Sequence, residues 1–350
     1  MSHPNAKKIY RVVQWATGNI GTRSLRTVIE HPQLQLVGLL VHSESKAGKD
    51  AGELCGLPPT GVKATRSIDE ILSLKADCVL YMQQGANIDD ICRILESGTN
   101  IVTTRVEFHN PPTLDAAIRT RIEAACKKGN SSIHSTGSSP GFVTEALPIP
   151  LLSLQRRLDE LIIDEFADLT QRDSPDLLFN VMGYGKAPSE FGEQRLAHVK
   201  EGFAHSLSML ADAIGTPIDS IEIKGENALT RDNIKIAAGT LEKGTVGAQR
   251  IVMTCYRNGK SFMQMRMNWY ATKEIVEDWE LGETGWRVQV KGDTPLDVRI
   301  RFPIPLEQYG AVMPGLTAHR AANAVPAVCD AAAGIRTTAE LRHVIAYLGG

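Results

Sequence analysis

Short apolar runs alternate with longer amphipathic stretches through the first half of the chain. The opening of residues 10–21 (YRVVQWATGNIG) and residues 34–41 (LQLVGLLV), 76–82 (ADCVLYM), 100–106 (NIVTTRV) and 131–135 read as strands. The second run is too short for an ordinary helix and apolar on both faces, which suits a buried parallel strand. Between the runs, residues 22–30, 68–74, 87–97 and 112–128 read as helices. In 87–97, Ile88, Ile91, Ile94 and Leu95 fall at helix spacing and Gly98 stands where a C-cap glycine belongs. Pro112 is read as opening the next helix and Gly129 as closing it. Strand and helix in strict alternation build a doubly wound parallel sheet, with ligands beyond the carboxyl ends of the strands.

After Pro148 and Pro150 the pattern changes. Residues 158–167 read as a strand of a second sheet, and Leu196, Val199, Phe203, Leu207, Leu210 and Ile214 form one helical face ending at Gly215 and Pro217. Residues 220–224, 246–256, 261–270 and 296–302 then alternate apolar with polar positions, and Asn258-Gly259 between two such runs is a strong hairpin signal. Strands with one polar face make an open sheet that needs a cover, and pairing with its copy in a homodimer is one way to provide it. Residues 317–333 are rich in alanine and contain Pro326, where a kink or restart is expected. The resulting fold class is α/β: a Rossmann sheet in residues 1–150, a second α+β domain with a largely antiparallel open sheet in 151–315, and a C-terminal helical region in 316–350 packing back on the Rossmann domain.

Composition narrows the function classes. A chain of 350 residues buries ample core without disulfides or metal. A net charge of −2 with no long basic run argues against nucleic acid as partner. No apolar stretch approaches the roughly 20 residues that span a bilayer, and MSHPNAKK lacks a signal-peptide core, so a soluble cytoplasmic protein without a membrane partner is expected. The six cysteines are scattered without a CxxC pair, and the histidines show no metal-ligand spacing, which predicts reduced thiols and no metal site. Neither a Gly-x-Ser-x-Gly elbow nor a Walker loop is present.

Four places carry candidate chemistry, all at strand ends. The turn Ala16-Thr17-Gly18-Asn19-Ile20-Gly21 is an A-x-G-x-x-G between the first strand and helix, so Thr17, Gly18, Asn19, Ile20 and Gly21 are candidate dinucleotide-binding residues; a purely structural turn is the alternative. After Val41 no carboxylate follows directly. His42, Ser43, Ser45 and Lys46 instead suit the 2′-phosphate of NADP, while a solvated loop with Glu44 reaching the ribose of NAD stays open. The fourth strand ends in Thr103-Thr104-Arg105-Val106-Glu107-Phe108-His109. Thr103 is a cofactor candidate there, and Glu107, desolvated by Phe108 or by Trp or Tyr neighbours, can exchange a proton with a substrate at the nicotinamide. A solvated loop glutamate is the plain reading of Glu107, and His109 competes with it as an acid–base group. The loop STGSSPGF brings Gly137 as a nicotinamide contact and Phe142 as a pocket residue, or is a domain-crossing turn. In the second domain Phe166, Trp269 and Tyr270 are candidates to shape the substrate pocket, and Asn323 either contacts the cofactor or caps a helix.

With VVQWATGNIG, GKDAGELCGLPPTGV, TTRVEF, STGSSPGF and GLTAHRAANAVPAVCDAAAG in this order, the chain resembles the family with a dihydrodipicolinate-reductase-type N-terminal domain, and within it the 2,4-diaminopentanoate dehydrogenases and native amine dehydrogenases. True dihydrodipicolinate reductases are similar only in the first domain, and their His-His and Lys/Ser-Gly-Thr motifs do not stand here. The resemblance implies an NAD(P)-dependent oxidoreductase acting at a C–N bond, usually a homodimer, with the catalytic glutamate falling on Glu107. The expected function is therefore an NADP-preferring amine dehydrogenase that takes a small ketone or aldehyde plus ammonia to an amine and back, with NAD as the alternative cofactor. A reductase of another small carbonyl or semialdehyde, and a non-catalytic NADP-binding protein, remain as alternatives.

Overall fold

Every side chain of β1 (Tyr10–Trp15) except Arg11 is buried, as a strand covered on both faces requires. In chain order there follow α1 (Asn19–Glu30), β2 (Leu34–Leu40), α2 (Ala51–Cys55), β3 (Ala64–Thr65), α3 (Ile68–Ser73), β4 (Cys78–Tyr81), α4 (Ile88–Glu96), β5 (Asn100–Thr103), α5 (Ala116–Gly129) and β6 (Ser132–Ser135). Together with a C-terminal strand, β15 (Gly334–Arg336), they form a seven-stranded sheet of order β15-β6-β5-β4-β1-β2-β3. All its pairings are parallel. The order reverses at β1, and the crevice beyond the carboxyl ends of β1 and β4 is where such a sheet takes its ligand. The computed structural model describes residues 8–347. Residues up to Ala146 and from Ala311 onward form one compact unit, and Leu147–Gly310 a second.

Both faces of the first sheet are covered. Ile91, Ile94 and Leu95 of α4 and Ile122 and Ala125 of α5 pack with Val13, Val79, Ile101 and Ile133. On the other face, Ala321, Ala322, Ala324, Val325 and Val328 of α8 (Tyr309–Cys329) pack with Val12, Leu80 and Val102, the alanines permitting a close approach. α8 is one continuous helix through Pro314 and Pro326, so no restart occurs at Pro326.

Helix ends correct two expectations. α5 starts at Ala116, because the Asp115 side chain caps it by accepting from the Ala117 and Ile118 amides at 3.0 Å; Pro112 belongs to a preceding 3₁₀ turn, Pro111–Thr113. The residue that turns left-handed at its end is Asn130, φ +49°. Gly129 is needed for another reason: a Cβ there would lie 1.9 Å from Leu95 O. Around α4 the expectations hold, with Asn87 capping the Asp89 and Asp90 amides and Gly98 at φ +89°.

In the second unit, α6 (Pro148–Leu152), β7 (Leu158–Asp168) and α7 (Glu193–Ala213) precede β8 (Ser220–Leu229), β9 (Ile234–Ile236), β10 (Gly239–Leu241), β11 (Val246–Arg257), β12 (Lys260–Tyr270), β13 (Gly285–Gly292) and β14 (Leu296–Arg301). Six of these strands form a sheet of order β14-β13-β7-β12-β11-β8, antiparallel except for the β7–β12 pair, and β9 and β10 form a separate hairpin. Asn258 and Gly259, φ +52° and +71°, make the β11–β12 turn with both central residues left-handed, as a two-residue hairpin favours. On one face lie Ile251, Met253, Cys255, Met263, Met265 and Met267, all buried. The opposite face carries a shallow cleft lined by charged and polar side chains, among them Glu222, Lys224, Arg250, Tyr256, Gln264 and Arg266.

Candidate functional site

The turn after β1 is built around one strained residue. Ala16 stands at φ +71°, a conformation that favours glycine, and the buried Gln14 Nε2 donates to its carbonyl at 2.9 Å. α1 packs directly on that carbonyl: a Cβ on Gly21 would lie 2.3 Å from Ala16 O, so the position admits no side chain. Gly18 is the opposite case, since a Cβ there would meet nothing within 4 Å. It is the N-cap of α1, which has no side-chain cap and no acidic residue in its first turn. Uncapped N–H groups and the positive end of the helix dipole thus face open space, as an anion site requires.

That space is a cleft of about 640 Å³. Ala16, Gly18, Asn19 and Ile20 line it after β1, His42 after β2, Met82, Gln83 and Gln84 after β4, and Thr104 and Arg105 after β5. Four strand ends therefore converge on the crevice that the strand order marks. Gln83 is fixed there by accepting from Trp15 Nε1 at 2.8 Å and donating to Gly85 O at 3.0 Å. Of the residues after β2, Ser43 and Ser45 are exposed with their hydroxyls 2.7 Å apart. Lys46 folds back on the phosphate turn, its Nζ donating to Thr17 O and Thr17 Oγ1 at 3.0 Å.

Beyond β5 the chain makes a single 3₁₀ turn, Val106–Phe108. Thr103 is fully buried; its hydroxyl donates to Tyr81 O at 2.8 Å and accepts from Arg105 N at 3.2 Å, so it shapes the strand end instead of facing the cleft. Burial pushes the Tyr81 hydroxyl up to about 12, which leaves it out of proton transfer near neutrality. Glu107 is partly exposed, and its partner is Arg105: Nε donates to Oε1 at 3.2 Å and Nη2 lies 3.1 Å from Oε2. Phe108 is buried in the core below the sheet end, and the Glu107 side chain is 25% exposed with its Oε2 buried. Arg105, a cleft residue in direct contact with Glu107, was given no role from sequence, since only a tight turn brings two residues at this spacing together.

His109 is not in the cleft; it is 2% exposed and paired with a buried carboxylate. Gly137 is required by its own loop, where a Cβ would lie 2.9 Å from Pro140 O, and the Ser138 hydroxyl lies 2.8 Å from that of Thr317 on α8. Phe142 is partly buried with the Arg320 guanidinium 6.0 Å from its ring. Asn323 lies elsewhere: with His31, Glu30, His319 and Tyr347 it lines a separate cleft at the C-terminal end of α1, and it is hydrogen-bonded to His31. It neither lines the first cleft nor caps a helix, being interior to α8. In the second unit, Asn268 pairs with Phe166 and Trp269 with Ala167, so Phe166 and Tyr270 share the open face of the sheet while Trp269 points to the other. Phe166 and Trp269 therefore cannot meet in one pocket.

Residues 11–110 match the family described as dihydrodipicolinate reductase, N-terminus, and residues 180–350 match the 2,4-diaminopentanoate dehydrogenase C-terminal domain. An amine dehydrogenase of Streptomyces virginiae is 27% identical over 96% of this chain and 98% of its own length. The chain therefore carries a match to each of these two domain families and is similar over nearly its whole length to an amine dehydrogenase. It is an NAD(P)-dependent oxidoreductase. A 4-hydroxy-tetrahydrodipicolinate reductase of Synechocystis sp. is 36% identical, but over only 18% of the chain and 23% of that relative. The solved amine dehydrogenase of Mycobacterium smegmatis shares the fold over 97% of this chain and 98% of its own, with a TM-score of 0.69 at 17% identity. Among the described residues there is no helix long and apolar enough to cross a membrane, and no group of three or more His, Cys, Asp or Glu placed to hold a metal ion.

Proposed function

We propose that this enzyme is an NADP-preferring amine dehydrogenase in which Glu107 is the catalytic residue. The observation that carries the assignment is the half-buried Glu107 carboxylate, which does not itself line the cleft but pairs with Arg105, a residue that does. The cleft fits a dinucleotide by its own geometry: the space over Gly18, the close packing of Gly21 and the uncapped start of α1 suit a pyrophosphate. Lys46 beside Thr17, with Ser43 and Ser45 exposed nearby, supports recognition of the 2′-phosphate. Thr17, Asn19 and Ile20 would border the phosphates, and His42 the adenosine end.

The bound nicotinamide supplies the hydride. The protein's part is charge and proton handling. Glu107 accepts a proton from ammonium, leaving ammonia to add to the carbonyl carbon. The carbinolamine loses its hydroxyl as water, with the proton returned from Glu107, and the carboxylate then faces a cationic iminium. Hydride addition at the iminium carbon gives the neutral amine, which takes up one proton from solvent. Overall, carbonyl, ammonium, reduced cofactor and one proton yield alkylammonium, oxidised cofactor and water. Arg105 pairs with the carboxylate before substrate arrives. The polar open face of the second sheet, with Glu222, Lys224, Arg250 and Arg266, supports a homodimer.

The test is NADPH oxidation with a panel of small ketones and aldehydes, with and without ammonium, repeated with NADH. Turnover that requires ammonium and favours NADPH is expected. Equal turnover without ammonium means a plain carbonyl reductase, and cofactor binding with no turnover on any carbonyl means a non-catalytic binder.

A further inference from the structure

Glu145 is fully buried, and a buried carboxylate is costly unless it is paired and hydrogen-bonded. His109 Nδ1 lies 2.6 Å from its Oε1, with both side chains at 1% exposure or less, although the contact lacks hydrogen-bond geometry. Thr338 Oγ1 donates to the other oxygen. Three segments distant in sequence meet here: the turn after β5, the helical segment Ser138–Ala146, and the exit from β15. His134 and Arg320 are the other titratable groups near Glu145. Both are engaged elsewhere, His134 Nδ1 lying 2.7 Å from Arg336 O and Arg320 donating to Thr136 Oγ1 and Val344 O.

A buried polar pair, charged or not, contributes little net stability compared with a well-packed apolar pair of the same volume. What it adds here is register. The Glu107 turn is anchored on its leading side, where Thr103 accepts from the Arg105 amide and Ser135 Oγ donates to Arg105 O at 2.8 Å. On its trailing side the anchors are Phe108 in the core and His109 on Glu145. Phe108 ties the turn to the apolar core, whereas His109 ties it to a specific polar atom, Glu145 Oε1, 2.6 Å away. We propose that the buried His109–Glu145 pair is a positioning device that holds the Glu107 turn, and with it the Arg105–Glu107 pair, at the wall of the cleft. This rests on the assignment of Glu107 as the catalytic residue.

Misplacing a reacting group by about 1 Å costs on the order of 100-fold in rate, so even a partial shift of the turn is readable in kcat. The variants are His109→Leu, which removes the donor at similar volume, and His109→Gln, which keeps one. Kinetics are normalised to the fraction of protein that binds NADPH. His109→Leu should lower kcat for amination by at least about tenfold, with NADPH Kd within about twofold, and His109→Gln should recover most of the loss. A purely structural role would lower the folded fraction and leave normalised kcat unchanged. Wild-type normalised kcat in His109→Leu, a loss confined to Kd, or equal losses in Leu and Gln would overturn the proposal. Should His109→Leu not fold, Glu145→Gln is read against the same criteria. Glu107→Gln runs in the same series: if it too retains full turnover, the Glu107 assignment has failed, whereas an inactive Glu107→Gln beside a fully active His109→Leu removes only the positioning role.

Discussion

Gly18 and Gly21 sit three residues apart in one turn, yet adding a methyl group to each should have opposite consequences. At Gly21 the new Cβ would stand 2.3 Å from Ala16 O and 2.9 Å from Ala16 C, both backbone atoms that Gln14 and β1 hold in place. α1 must then move off the strand end, and overpacking of this kind costs about 1–3 kcal/mol. At Gly18 the backbone is φ −75°, ψ −163°, which alanine adopts freely, and the Cβ meets nothing within 4 Å. Gly18→Ala should therefore stabilise the free protein slightly, by about 0.4–1 kcal/mol through the unfolded chain. The same methyl occupies the space through which the backbone meets a pyrophosphate. Losing one charge-assisted hydrogen bond of about 1.5–3 kcal/mol weakens cofactor binding roughly 10- to 100-fold. Urea unfolding of the free protein and calorimetric titration with NADPH separate the two quantities. Gly18→Ala that binds NADPH like the parent would refute the placement of the pyrophosphate at this turn, and Gly21→Ala with unchanged stability would refute the contact argument.

Two further predictions concern the same unit. Ala16, held at φ +71°, should gain from Ala16→Gly: relief of left-handed strain less the extra glycine entropy leaves a stabilisation of about 0.5–1 kcal/mol, measurable by urea unfolding, with NADPH affinity unchanged. His134 is completely buried, and desolvation lowers it to about 4. Its ordinary value of about 6.5 applies in the unfolded chain, which therefore binds the extra proton between these values while the folded protein does not. The His134 share of stability is intact above pH 6.5 and falls as pH drops towards 4, by about 3 kcal/mol in all. Urea unfolding of parent and His134→Gln at pH 7 and pH 4.5 reads it out, and equal pH slopes in the two proteins would contradict the assignment.

The parallel sheet was legible because β1, β2, β4, β5 and β6 are buried on both faces and each is punctuated by a cap or glycine. β15 was not: three residues, Gly334–Arg336, are too few for any period, and they form a strand only because β6 offers them a parallel edge. The turn after β1 was readable from its glycines, although sequence could not tell that Gly21 is closed against Ala16 O while Gly18 faces open space. The surroundings of Glu107 were only partly legible, since Phe108 follows it directly but is buried in the core cluster by the 3₁₀ turn, and the contact with Arg105 has no local pattern. Asn323 was misplaced for a similar reason. Its motif is conspicuous, but helix phase turns it towards His31. The Glu145 partnership joins residues 36 positions apart, a relation without any local pattern.

The central claim is that Glu107 carries the chemistry at the cleft that Gly18 opens. Glu107→Gln keeps the shape and removes the charge, so ammonium-dependent NADPH oxidation measured beside NADPH affinity tests it most directly. The account predicts that turnover falls by at least about 100-fold, as for loss of a general acid–base group, while NADPH Kd stays within about twofold. Undiminished ammonium-dependent turnover in Glu107→Gln would contradict it.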